Sequence, residues 1–394
     1  MEGALVKEKL WTRDFIMLAC SNFFLFFGFQ VLIATLPVYV TQFGGNNTEI
    51  GLVIGIFTIS ALLVRPFSGA ALDIVGRKLF LLVGLIICLL AIGTYIFATT
   101  VLFILLVRIL HGFGWGISTT TYGTVISDII PASRRGEGMG YYGISSTFSM
   151  AIGPVAGIWI INHWGFHTLF IIALISTIAS LVLSQLLNIK NEKAVPGAKN
   201  QIKDFTSHLY EKRAIFPSLL VFFVTFTYGG IAGFITLFGT EVGIENVGWF
   251  FSINALFLLF VRPISGRIYD KKGHKWILIP GAIFGIISLI ILSNTTTLVG
   301  LVLSAMFFGI CFGAIQPSLQ AWLIQRVEPK NRGAANATFF SAFDLGIGGG
   351  SLILGAIAGM TSYATMYKLS SLLFVVFLIV YGFYLLKNKE EARG

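Results

Sequence analysis

The sequence predicts an all-α membrane protein of twelve transmembrane helices in two six-helix bundles, and three observations carry that prediction. Charged residues make up only 11 % of the 394 residues, against roughly a quarter in a soluble chain, and mean hydropathy is +0.87. The apolar residues gather into stretches long enough to cross a bilayer, which takes about 20 residues. The chain also repeats itself. Val64-Arg65-Pro66-Phe67-Ser68-Gly69 runs on to Asp73, Gly76, Arg77 and Lys78, and Val261-Arg262-Pro263-Ile264-Ser265-Gly266 runs on to Asp270, Gly273, His274 and Lys275. Every matched pair is 197 residues apart, half the chain, so the molecule reads as two parallel halves built from one unit.

In order, the apolar stretches are 15–40, 48–72, 79–98, 101–128, 137–162 and 167–188, then 215–240, 246–270, 276–293, 297–325, 333–359 and 363–386. Backbone amides find no water inside lipid, so each stretch must be a helix. The alternation that a barrel strand needs is absent. Residues 1–188 are expected to form the first bundle and 215–394 the second. Between them, 189–214 is polar, lysine-rich and broken by Pro196 and Gly197. Its second part spaces Ile202, Phe205, Leu209 and Ile215 as a helix would, which predicts an amphipathic helix on the membrane surface.

The net charge of +10 is placed by topology. Lys7, Lys9 and Arg13 precede the first span; Arg77 and Lys78 follow the second; Arg134 and Arg135 follow the fourth. The linker, the later connections on the same side and the C-terminal tail bring the tally on that side to 23 of 27 basic residues. Connections on the other side carry none, and include Glu49, Glu241 and Glu245. This positive-inside pattern puts both termini in the cytoplasm, in a multi-pass protein of the cell membrane whose partner is the lipid bilayer and not nucleic acid. The first apolar run is too long for a cleavable signal peptide and is itself a span.

Several function classes fall away. Cys20, Cys88 and Cys311 are scattered inside spans, too far apart in sequence for a zinc or redox motif. No metal or cofactor is expected. No clustered histidines, cysteines or paired carboxylates share one depth, and the run from Ser118 to Thr121 lacks a base, so an enzyme is not expected. A phosphate-binding loop of the form G-x-x-x-x-G-K-[ST] is missing, which argues against ATP-driven transport by this chain alone. A membrane receptor would normally carry a sizeable soluble domain.

At Gly69-x-x-x-Asp73-x-x-Gly76-Arg77-Lys78 the chain resembles the major facilitator superfamily, with Gly266, Asp270 and Gly273 a degenerate second copy. Arg108-x-x-x-Gly112-x-Gly114-x-Gly116 resembles the fourth-helix motif of proton-coupled members. Gly153-Pro154-x-x-Gly157 resembles the fifth-helix motif of antiporters. Leu36-Pro37-Val38-Tyr39 resembles the first-helix motif of the twelve-helix drug:proton antiporter branch. Ser149, Ala34 and His111 depart from these patterns. The chain is also similar to exporters of small metabolites and staphylopine-type metallophores, notably around Asp344-Leu345-Gly346-Ile347. The resemblance implies a secondary transporter, a proton-coupled exporter of a small amphipathic solute working as a monomer; a proton-coupled importer is the alternative. It also implies a cytoplasmic gate built from Gly69, Asp73, Gly76, Arg77, Lys78, Arg134, Arg135, Gly266, Asp270 and Gly273. Asp73 is expected beside Arg77 and at the positive N-terminal end of the eleventh helix, near Gly333.

Charges within the membrane cost at least about 2.5–3.5 kcal/mol each and need explaining. Asp344 stands alone in the eleventh stretch, twelve residues from Arg332, roughly 18 Å along a helix and near the midplane. Its counterpart in the first half is Thr147, so bundle-building alone does not demand the acid. A carboxyl so placed is a group that a proton gradient can load and unload, or one that meets a solute's charge. Arg108 and His111 share a face of the fourth helix. The first keeps its proton and the second titrates near neutrality, which makes them relay candidates. Asp128, at the end of that helix, reads as a boundary charge. Asn22, Gln30, Tyr228, Asn254, Gln316, Gln320 and Phe343 offer amides and rings for an aromatic cavity that suits an amphipathic solute.

Overall fold

Apolar runs that must satisfy their own amides become long helices, and the same few residues end them in both halves. The computed structural model describes residues 9–33, 35–44, 47–189, 210–244 and 247–388. The helix expected over 202–215 lies mostly outside the described residues. From Lys212 to Ala214 the chain makes a single turn that leads into the second half.

The first span is Arg13–Ile33 continued by Leu36–Thr41. Asn47–Val75, Arg77–Thr94 and Val101–Ile129 are the second to fourth. The fifth and sixth share one element, Arg135–Gln185, which turns at Gly165, where φ is 76° and ψ 177°. Ile215–Glu241, Trp249–Lys272, Lys275–Asn294, Leu298–Arg326, Arg332–Met360 and Tyr363–Lys387 are the seventh to twelfth. Among the described residues eleven helices are therefore long and apolar enough to cross a membrane, and one of them, broken at Gly165, has the length of two spans. No strand occurs among the described residues.

Caps repeat with the sequence. Thr100 accepts from Phe103 N at 3.2 Å to start the fourth span. Its counterpart Thr297 accepts from Gly300 N at 3.3 Å to start the tenth. Where the first half turns at Gly165, the second has Ser362, which caps the twelfth span by accepting from Thr365 N at 3.1 Å. Gly76 (φ 106°) and Gly273 (φ 79°) close the second and eighth spans in a conformation that only glycine adopts cheaply.

Packing is repeated too. In the first half the first span lies on the element that holds the fifth and sixth, the second and third on the fourth, and the third on that same fifth–sixth element. In the second half the seventh lies on the eleventh, the eighth and ninth on the tenth, and the ninth on the twelfth. The outer surface stays apolar, with Leu63 60 % and Phe260 65 % exposed, as lipid requires. The halves meet along two seams, the second span on the eleventh and the fifth on the eighth. Arg77, Lys78, Arg134, Arg135, Arg267, Lys271, Lys272, Arg326, Lys330 and Arg332 all lie at one end of the bundle, here the basic face.

Candidate functional site

The seams close tightly at the basic face because both are lined by glycine. A Cβ on Gly69 would sit 2.5 Å from Ala337 Cβ and 2.8 Å from Gly333 O in the eleventh span. On the other seam, a Cβ on Gly136 would sit 2.5 Å from Gly266 O, and one on Gly266 would overlap the Gly136 carbonyl. Gly140 is pressed against the backbone of Arg262. Backbones approach this closely only where side chains are absent.

Charges lock the same layer. Asp270, on the eighth span, accepts from Gly136 N at 2.7 Å and Glu137 N at 2.8 Å. That is a carboxylate on the positive end of the fifth helix, reaching from one half to the other. Glu137 accepts from Arg134 at 2.7 Å and from Arg267 of the opposite half at 3.0 Å. Asp128 holds two arginines: Arg77 Nε at 2.6 Å and, across the halves, Arg332 Nη1 at 2.5 Å. Arg77 also donates to Pro329 O at 3.0 Å, Arg135 to Ile324 O at 3.3 Å, and Lys78 to Gln185 O at 3.1 Å. The side chain of Asp73 lies outside the described residues; its counterpart Asp270 makes the helix-end contact in the second half. Asp128, read from sequence as a boundary charge, is an inter-half clamp instead. A lone acid at a helix end carries no signal of this, because both arginines arrive from other connections.

Nearer the midplane, Asp344 meets Arg65. Arg65 Nε donates to Asp344 Oδ2 at 2.8 Å, with side-chain exposures of 2 % and 17 %. The arginine also donates from Nη1 to Thr119 at 2.8 Å and Thr120 at 3.2 Å on the fourth span, and its guanidinium lies 5.1 Å from the Phe340 ring centroid. The pair joins the second span to the eleventh, and so one half to the other. Sequence reasoning noticed Arg65 only as part of the repeat; its signal was an arginine seven residues inside the end of the apolar stretch 48–72.

Arg108 and His111 form a separate group on the opposite-face side of this pair. Arg108, 1 % exposed, donates from Nε to Val53 O at 2.9 Å and lies 4.5 Å from the Phe57 centroid, while its Nη1 is buried with no partner. His111 Nδ1 is 3.4 Å from Tyr95 OH, and its ring meets Phe57 edge-on at 5.3 Å.

The candidate cavity residues are distributed. Asn22 donates to Ser145 at 2.7 Å and accepts from Tyr142 at 2.8 Å, joining the first span to the fifth. A Cβ on Gly153 would sit 2.5 Å from Gln30 Cβ and one on Gly157 2.6 Å from Val31 O, with Pro154 inside the helix between them; these glycines seal the first span against the fifth. Asn254 is within 3.5 Å of Ala305 O, and Gln320 donates to Asn336 at 3.1 Å. Tyr228 packs on Phe308 and Phe312, and Phe343 meets Phe312 edge-on at 6.2 Å. Gln316 accepts from Arg262 at 3.1 Å. Among the described residues no group of His, Cys, Asp and Glu could hold a metal.

All these inter-half contacts, from Asp270 up to Asp344, lie between the basic face and the midplane, and the chain matches the family described as Major Facilitator Superfamily over residues 18–246 and 218–394. The chain belongs to that superfamily. It is 24 % identical over 393 residues to the staphylopine export protein of Staphylococcus aureus, covering 96 % of both chains. To a multi-drug resistance efflux pump homologue of Lactococcus lactis it is 27 % identical over 396 residues, again covering 96 % of each. An MFS-type transporter of Methanocaldococcus jannaschii is 24 % identical over 373 residues, 92 % of this chain and 96 % of that one. The fold is that of the human organic anion transporter MFSD10, with TM-score 0.80 at 14 % identity over 93 % of this chain and 98 % of the other. The proton:xylose symporter XylE follows with TM-score 0.72 at 15 % identity, covering 93 % and 94 %. The protein is thus a multi-pass membrane transporter that takes a small-molecule solute.

Proposed function

We propose that the protein is a proton-driven exporter of the cytoplasmic membrane, working as a monomer, with its basic face in the cytoplasm. It would exchange an amphipathic organic solute for inward-moving protons. The single observation that carries this is the Arg65–Asp344 pair, which places a carboxylate near the midplane in an ion pair that joins the two halves. With the basic face closed, the solute space opens outward. A proton arriving from outside neutralises Asp344 and removes its attraction for Arg65. The second and eleventh spans then part, the clamps at Asp128, Glu137 and Asp270 follow, and the basic face opens. Loss of the proton to the cytoplasm and capture of solute restore the pair and close that face. Arg108 and His111, between the pair and the outer face, stand where the entering proton would pass. Export, rather than import, is supported by the named efflux relatives and by the glycine-proline pattern at Gly153 and Pro154.

Proteoliposomes carrying an imposed pH gradient test the reading. Wild type should dissipate the gradient when a transported dye or amino-acid-derived chelator is added, and Asp344→Asn should not. Solute movement without protons in wild type, or unchanged coupling in Asp344→Asn, would refute it.

A further inference from the structure

The repeat sets Arg262 where the first half has Arg65, and the two arginines are provided for in opposite ways. Arg65 has a carboxylate on its Nε and threonine hydroxyls on Nη1. Arg262 is 6 % exposed; its Nη2 donates to the Gln316 side chain at 3.1 Å, and its Nε is buried with no partner. Among the described residues no carboxylate lies within ion-pair distance of it. The acid's counterpart across this seam is Thr147 of the first half, whose hydroxyl turns back onto Gly143 O at 2.9 Å. Room for the guanidinium has nevertheless been made: a Cβ on Gly143 would overlap Nη1 and sit 2.8 Å from Cζ.

A guanidinium does not shed its proton in a protein, so this charge persists. Burying it unpaired is expensive, and more so inside a membrane. Arg262 stands ten residues from the end of the eighth span at Lys272, roughly 15 Å deep. It sits on the seam between halves, just above the closed layer where Gly140 meets its backbone. At that place the missing counter-charge can come from a solute lying between the halves. We infer that Arg262 is the anion-binding element of the solute site, its Nε–Nη edge taking a carboxylate or similar oxyanion in the two-point fashion that guanidinium favours. The solute class is therefore an amphipathic organic acid or zwitterion, not a simple cation. The inference rests on the proposed central solute site but not on its coupling to protons.

Binding to the full-length protein in nanodiscs, measured with three naphthyl probes that share a ring and differ in charge, tests this. Wild type should bind naphthylacetate and naphthylalanine, and Arg262→Gln should weaken both by about 10-fold or more, the scale of a lost charged hydrogen bond. Naphthylmethylammonium should be unaffected. Thr147→Asp supplies Arg262 with an internal carboxylate like that of Asp344 and should show the same selective loss; it decides the matter if Arg262→Gln does not fold. Wild type that binds neither carboxylate overturns the inference, as do variants that bind them undiminished or lose all three probes alike. A failed proton-coupling test with Asp344→Asn would sink the exporter mechanism and leave this result standing.

Discussion

Replacing Asp344 by asparagine removes the carboxylate but keeps the shape, and the structure sets the size of the effect. Arg65, 2 % exposed, would be left with two neutral threonine hydroxyls and the edge of an amide. Breaking a buried ion pair from one side costs about 3–5 kcal/mol. The Asp344 side chain is 17 % exposed and partly wetted, so about 2–3 kcal/mol is the better figure here. On the proposed mechanism the pair belongs to the closed basic face, so the whole loss falls on that state. The closed-to-open ratio should drop by about 30- to 150-fold. The assay is a distance measurement between spin labels at positions 132 and 271, exposed sites on opposite halves of the basic face, after replacing the three native cysteines. In wild type the short distance should dominate in alkaline buffer and give way to a longer one as acid neutralises Asp344. In Asp344→Asn the longer distance should dominate at every pH. An unchanged short distance in the variant, or a wild-type distribution indifferent to pH, would refute the idea that this pair holds the halves together.

Three further outcomes follow from the basic-face layer. Asp128→Asn strips charge from both Arg77 and Arg332; at about 1.5–3 kcal/mol per charged hydrogen bond, before discounting for its 29 % exposure, it should open the basic face measurably in the same label pair. Asp270→Asn loses a carboxylate on the end of the fifth helix, an effect of about 0.5–2 kcal/mol, and should move that equilibrium less than Asp344→Asn does. Gly266→Ala forces a methyl into the Gly136 carbonyl, so transport should fall sharply while the protein still elutes as a folded monomer; full transport would show that the seam does not need this approach.

How much of this was legible beforehand differs from residue to residue. The spans were readable because apolar length and backbone hydrogen bonding are local demands, and the break near Gly165 lay between two stretches separated on sequence alone. Asp344 was readable as an oddity because an acid has no business in an apolar helix unless something answers it. Arg65 and Arg262 were equally odd, yet their place in a repeated motif drew attention to the repeat and away from the charge. Asp128 looked like any helix-end acid, since neither of its arginines is near it in sequence.

What the sequence by itself determined is the twelvefold crossing, the doubling at 197 residues and the gathering of positive charge at one end, because each follows from the energy of one segment against lipid or water. Only the tertiary structure decided that Asp344 answers Arg65, 279 residues away, that Asp128 clamps the two halves, and that Arg262 meets no acid among the described residues. Those facts belong to the seams between bundles. A charge in an isolated helix has a cost but no partner, and the partner is chosen by which backbones the glycines allow to meet.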